Sequence, residues 1–77
     1  MKVVLRVSGH VVEYFPGGAG RLEVEMDRPT PLSEILAGLG VAEGLVMAAL
    51  AGGIRRPLSY EPLDGEEVTL IGPPAGG

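Results

Sequence analysis

Few side chains in this sequence can do chemistry. Its 77 residues include one histidine, His10, and no cysteine, so neither a thiolate nucleophile nor a His/Cys ligand pair can be assembled. General acid–base or metal chemistry needs ionisable groups that converge. Most of the ten acidic residues instead alternate outward along strands, as in Arg21-Leu22-Glu23-Val24-Glu25, or sit in turns, as in Asp64-Gly65. His10 follows Gly9 at a strand end and reads as an ordinary turn residue. Gly17-Gly18-Ala19-Gly20 has the glycine content of a phosphate loop, but no Lys-Ser or Lys-Thr follows, and Arg21-Leu22 begins a strand, not a helix. Arg55-Arg56, the one basic pair, suits either an acidic surface or solvent around a loop.

The remaining candidate is a backbone group. Pro73-Pro74-Ala75-Gly76-Gly77 closes the sequence, with two prolines that hold an extended path and advance the chain by about 3.3 Å per residue. Glycine lacks a Cβ, so Gly76-Gly77 can thread a narrow channel and present a bare carboxylate inside another protein. A frayed end has the same composition, and the residues alone leave both readings open.

A body must carry that end. At this length one core is expected, residues 1–72, with 73–77 as a flexible tail. The 45% apolar content and mean hydropathy of +0.30 favour a folded domain over disorder. Lys2 to Ser8 alternates with Val3, Leu5 and Val7 inward, and Arg21 to Asp27 with Leu22, Val24 and Met26 inward. Between them, Val11, Val12, Tyr14 and Phe15 form a helical turn or irregular loop over one edge of the core. Thr30 is expected to cap a helix with Pro31 at its first position. Leu32, Ile35, Leu36 and Leu39 form the apolar stripe, and Gly40 ends it left-handed. Leu45 to Ala51 fits helix or strand equally. Glu67 to Ile71, after the turn Pro62-Leu63-Asp64-Gly65, is a final strand. This order predicts an α+β roll, a mixed sheet packed on one main helix.

The formal charge of −4 opposes a nucleic-acid footprint and favours a basic partner surface. No apolar run approaches a membrane span and no signal peptide is evident, so a cytoplasmic protein without membrane contact is expected.

Asp64-Gly65-Glu66-Glu67-Val68, a short strand and then Pro-Pro-Ala-Gly-Gly resemble the MoaD/ThiS family, the molybdopterin synthase small subunits and thiamine-pathway sulfur carriers. Glu13-Tyr14-Phe15 after the first strand, and a helix from Thr30 to Leu39-Gly40, follow the same order. The resemblance covers the whole chain and is closer to the molybdopterin side, given the length and the Pro-Pro tail. It implies a ubiquitin-like β-grasp fold, with Leu45 to Ala51 as a strand.

It also implies a carrier and not an enzyme. A ubiquitin-activating-type adenylyltransferase would use ATP and magnesium to adenylate Gly77, and a sulfur donor protein would convert the adenylate to a thiocarboxylate. No cofactor or metal would be bound by the chain itself. A molybdopterin synthase large subunit is the implied acceptor partner, with Pro73, Pro74, Ala75, Gly76, Thr69 and Ile71 as partner-binding residues. Two departures fall where the family's partners dock. Leu50-Ala51-Gly52-Gly53 stands in place of a Val-Asn-Gly-like turn, and Ile71-Gly72 in place of bulky aromatics before the Pro-Pro pair. Alternatives are a sulfur carrier for thiamine or tRNA thiolation, a protein modifier joined through Gly77, and a non-catalytic β-grasp interaction module.

Overall fold

The computed structural model describes residues 1–73; residues 74–77 lie outside the described part. The expected tail is therefore represented only by Pro73. Among the described residues, five strands form one sheet in the order β2-β1-β5-β3-β4. They are β1 (Lys2–Ser8), β2 (Arg21–Glu25), β3 (Ala48–Ala51), β4 (Ile54–Arg56) and β5 (Glu67–Ile71), with the helix α1 (Leu32–Leu39) between β2 and β3. β1 and β5 run parallel at the centre, and the other neighbours pair antiparallel.

The alternation along the strands assigns the two sheet faces. Val3, Leu5, Val7, Ala49, Ala51, Val68 and Leu70 are buried, and they share one core with Leu32, Ile35 and Leu36 of α1. Val11 and Phe15, on the 3-10 turn His10–Tyr14 and just after it, close the core at one end. Burying such side chains contributes about 1.5–3 kcal/mol each.

The helix ends as expected but begins differently. Gly40 adopts φ 77°, and its N–H donates to the Ala37 and Leu36 carbonyls. Thr30 does not cap the helix: its hydroxyl donates to the Arg28 carbonyl at 2.8 Å. Pro31, at the cap position with φ −66° and ψ 151°, has no side chain able to accept. The early amide groups instead find distant carbonyls, Leu32 N–H donating to Tyr60 O at 3.0 Å and Ser33 N–H to Leu58 O at 2.9 Å. A backbone loop performs the task assigned to a threonine.

Three further differences are local. β2 stops at Glu25, and Met26 continues the pairing only through its backbone bonds with Met1. Of the ambiguous segment Leu45 to Ala51, Leu45 ends a 3-10 turn, Glu43–Leu45, and Ala48–Ala51 form the strand β3. Arg55 and Arg56 belong to a strand, β4, which the sequence reading treated as a loop. Gly52 and Gly53, at φ 61° and 76°, make the tight turn that folds β4 back onto β3.

Candidate functional site

The expected partner-facing residues Thr69 and Ile71 lie on the sheet face away from α1, both half-buried. Register places Thr69 between Arg6 and Leu50, and that row extends to Arg21 on one side and Arg55 on the other. Ile71 pairs with Ser8 and Ala48 in the adjacent row. With half-buried Val4, these residues give the face an apolar centre and a charged margin.

The margin is organised by ion pairs. Arg6 Nε lies 2.7 Å from Glu67 Oε1. Lys2 Nζ and Arg21 Nη1 approach the two oxygens of Glu23 at 3.5 and 3.3 Å. The Lys2 charge, followed by the Arg21 hydrogen bond, holds the Glu23 carboxyl below its usual range. These pairs are exposed and contribute little to stability.

β5 delivers the chain to one end of this face. Ile71 O accepts from Met47 N–H at 2.8 Å, and Gly72 N–H donates to Ser8 O at 3.2 Å. Gly72 is buried, whereas Pro73 is exposed. Backbone pairing thus persists to Ile71 on the β3 side and to Gly72 on the β1 side. Of the expected site residues, Thr69 lies at the middle of β5, and Ile71 and Pro73 at and just beyond its C-terminal end; Pro74, Ala75, Gly76 and Gly77 lie outside the described residues.

The loop before β5 is stitched down from the other end. Gly65 N–H donates to Lys2 O at 2.7 Å, Asp64 Oδ1 accepts from Lys2 N–H at 2.8 Å, and Val4 N–H donates to Glu66 O at 3.0 Å. Asp64-Gly65 therefore sets the register of the last strand against the first. Sequence reasoning missed the cluster beside it. The Arg56 guanidinium lies 4.9 Å from the centre of the Tyr60 ring, and Tyr60 O–H donates to Glu66 Oε1 at 2.7 Å. Only the spacing of charged and aromatic residues across residues 56–66 hints at it, and spacing alone does not bring a loop back on itself.

The chemistry within the body is sparse. A groove of about 480 Å³, lined by Met1, Lys2, Glu25, Met26, Asp27 and Asp64, lies at the end of the sheet opposite Gly72. Among the described residues, no group of three or more His, Cys, Asp or Glu side chains is placed to hold a metal ion. No helix among them is long and apolar enough to cross a membrane.

No protein-family model and no curated protein matches the chain. Solved structures do. SAMP1 from Haloferax volcanii superposes with a TM-score of 0.70 at 13% identity, over 100% of both chains. A chain from the protein–protein complex of subunit 1 and 2 of molybdopterin-converting factor from Helicobacter pylori gives a TM-score of 0.60 at 25% identity, again over 100% of both. With a mixed five-stranded sheet packed on one helix, the chain has the ubiquitin-like β-grasp fold, of the MoaD/ThiS-like kind.

Proposed function

We propose that this protein is a sulfur carrier whose working group is the carboxylate of Gly77, serving molybdopterin synthesis. One observation carries the reading: a Pro-Pro-Ala-Gly-Gly sequence follows the central strand of a β-grasp body after a single residue, Gly72. The likeness to a chain of the molybdopterin-converting factor complex supports it and favours a large synthase subunit as partner.

The chemistry follows from the carboxylate. An anion resists nucleophiles, so a Gly77 oxygen first attacks the α-phosphorus of ATP in a partner adenylyltransferase and expels pyrophosphate. A sulfur nucleophile then attacks the acyl carbon, and AMP leaves with the original oxygen. The product is a thiocarboxylate, a soft nucleophile delivered without a cysteine. ATP, magnesium and the sulfur donor belong to the partners. The roles proposed for this chain's residues are an extended approach for Pro73, Pro74 and Ala75, entry to a narrow channel for Gly76, and docking for Thr69 and Ile71 on the outer face.

Intact-mass measurement after incubation with an adenylyltransferase of the ubiquitin-activating class, MgATP and sulfide tests the proposal. The expected result is replacement of one oxygen by sulfur, lost when Gly77 is deleted while the circular dichroism spectrum is unchanged. Full sulfur transfer by the truncated chain would refute it, and conjugates on a denaturing gel would identify a protein modifier instead.

A further inference from the structure

Gly72 occupies a point where no side chain fits. A Cβ built on it lies 2.6 Å from Val11 Cγ1 and 2.8 Å from Val11 Cβ, with the Leu45 carbonyl oxygen at 3.5 Å. Carbon atoms in favourable contact stand about 3.5–4.0 Å apart. Val11 is 1% exposed and packed in the core, so it has no open space to swing into. The requirement is spatial and not torsional, since Gly72 is not among the glycines with positive φ.

The same segment also touches the next residue. Gly9, at φ +87°, lies so that its own Cβ would stand 3.6 Å from the carbonyl oxygens of both Gly72 and Pro73. Gly9 and Val11 therefore line the departing chain on one side, Leu45 meets it on another, and Ser8 O accepts the Gly72 N–H. Val11 fills the volume that a side chain at position 72 needs. That accounts for Ile71-Gly72 where bulky aromatics are expected before the Pro-Pro pair.

We propose that Val11 and Gly72 are a positioning pair: their close approach fixes the direction in which the chain leaves the sheet at Pro73, and through it the presentation of the terminal carboxylate to a partner's active site. The second half of this inference rests on the carrier reading above; the first half does not. Neither residue touches the reacting atoms. A misdirected exit carries the end away from its reactive geometry, and misplacement on the order of 1 Å costs as much as about a hundredfold in rate.

The test compares wild type, Gly72→Ala and Val11→Ala/Gly72→Ala, each checked for folding by circular dichroism. Because the chain has no cysteine, Ala75→Cys and Ala37→Cys on the exposed side of α1 can carry spin labels for distance measurement. Unlabelled chains supply the rate of sulfur incorporation across carrier concentrations. In Gly72→Ala the distance distribution shifts or broadens, and kcat falls roughly tenfold or more at saturating carrier. Val11→Ala removes the 2.6 Å contact and leaves the 2.8 Å one, so the double variant recovers part of both readouts. An unchanged distance distribution in folded Gly72→Ala overturns the pair, as does a folded double variant that recovers nothing. A shifted distribution with an unchanged rate overturns the link to presentation. If wild type gains no sulfur, the carrier reading fails, and the distances alone decide the pair.

Discussion

The Tyr60 hydroxyl donates a hydrogen bond to Glu66 Oε1 at 2.7 Å, and the same oxygen accepts from the Leu63 amide at 2.9 Å. One carboxylate thus ties both arms of the loop between β4 and β5, and Tyr60 O accepts from the start of α1. The Glu66 hydrogen bond, ahead of partial burial and the nearby negative charge, raises the Tyr60 phenol above its ordinary range. Because the folded-state value is the higher one, the associated stability is fully present below the unfolded value and is lost as pH rises through the folded one. Tyr60→Phe should therefore melt lower than wild type at neutral pH, with the gap closing in alkaline solution. Thermal melts across neutral to strongly alkaline pH measure it, and a constant gap would count against the linkage.

Glu23 shows the opposite sign. Its carboxyl is held below the usual carboxylate range by Lys2 and Arg21, so its contribution is present above the unfolded value and fades as pH falls through the folded one. The group is exposed, and salt screens it. Glu23→Gln should lower the melting point slightly at neutral pH and low salt, and not at all in acid or in molar salt. Parallel melts in the three buffers read this directly.

Gly40 and Gly72 are glycines for different reasons. Around Gly40 a Cβ would meet nothing within 4 Å, yet φ is +77°. Gly40→Ala should cost about 1–2 kcal/mol from backbone strain alone. In a domain of this size each kcal/mol lowers the melting point by about 4–8 °C. Urea titration should show a shifted midpoint with an unchanged slope.

Thr69 stands at the centre of the outer face, between Arg6 and Leu50. Thr69→Asp places a charge among the apolar residues of that face without entering the core. Its affinity for a molybdopterin synthase large subunit, measured by titration calorimetry, should fall about tenfold or more, equivalent to about 1.4 kcal/mol. The melting point should stay near that of wild type. Unaltered affinity would remove this face from the docking surface.

Much of the architecture was legible from alternation. Val3-Leu5-Val7, Leu22-Val24 and Val68-Leu70 each have period two, and Leu32-Ile35-Leu36 fixes the helix face. What stayed hidden depends on contacts between distant parts of the chain. The Thr30 reading failed because the Leu58 and Tyr60 carbonyls, far along the sequence, reach the helix start first. β4 was missed because Ile54-Arg55-Arg56 is too short and too charged to signal a strand until Gly52-Gly53 turns it onto β3. Around the candidate site, the sequence marked Thr69, Ile71 and the terminal residues. It gave no sign that Gly72 is packed against Val11, a pair separated by most of the chain.

The central pairing of β1 with β5 joins the earliest strand of the chain to the latest. During synthesis the two hairpins can form while the middle of the sheet is still missing, so neither face is complete until β5 has emerged from the ribosome. A polypeptide that stops short of β5 therefore has neither sheet face complete.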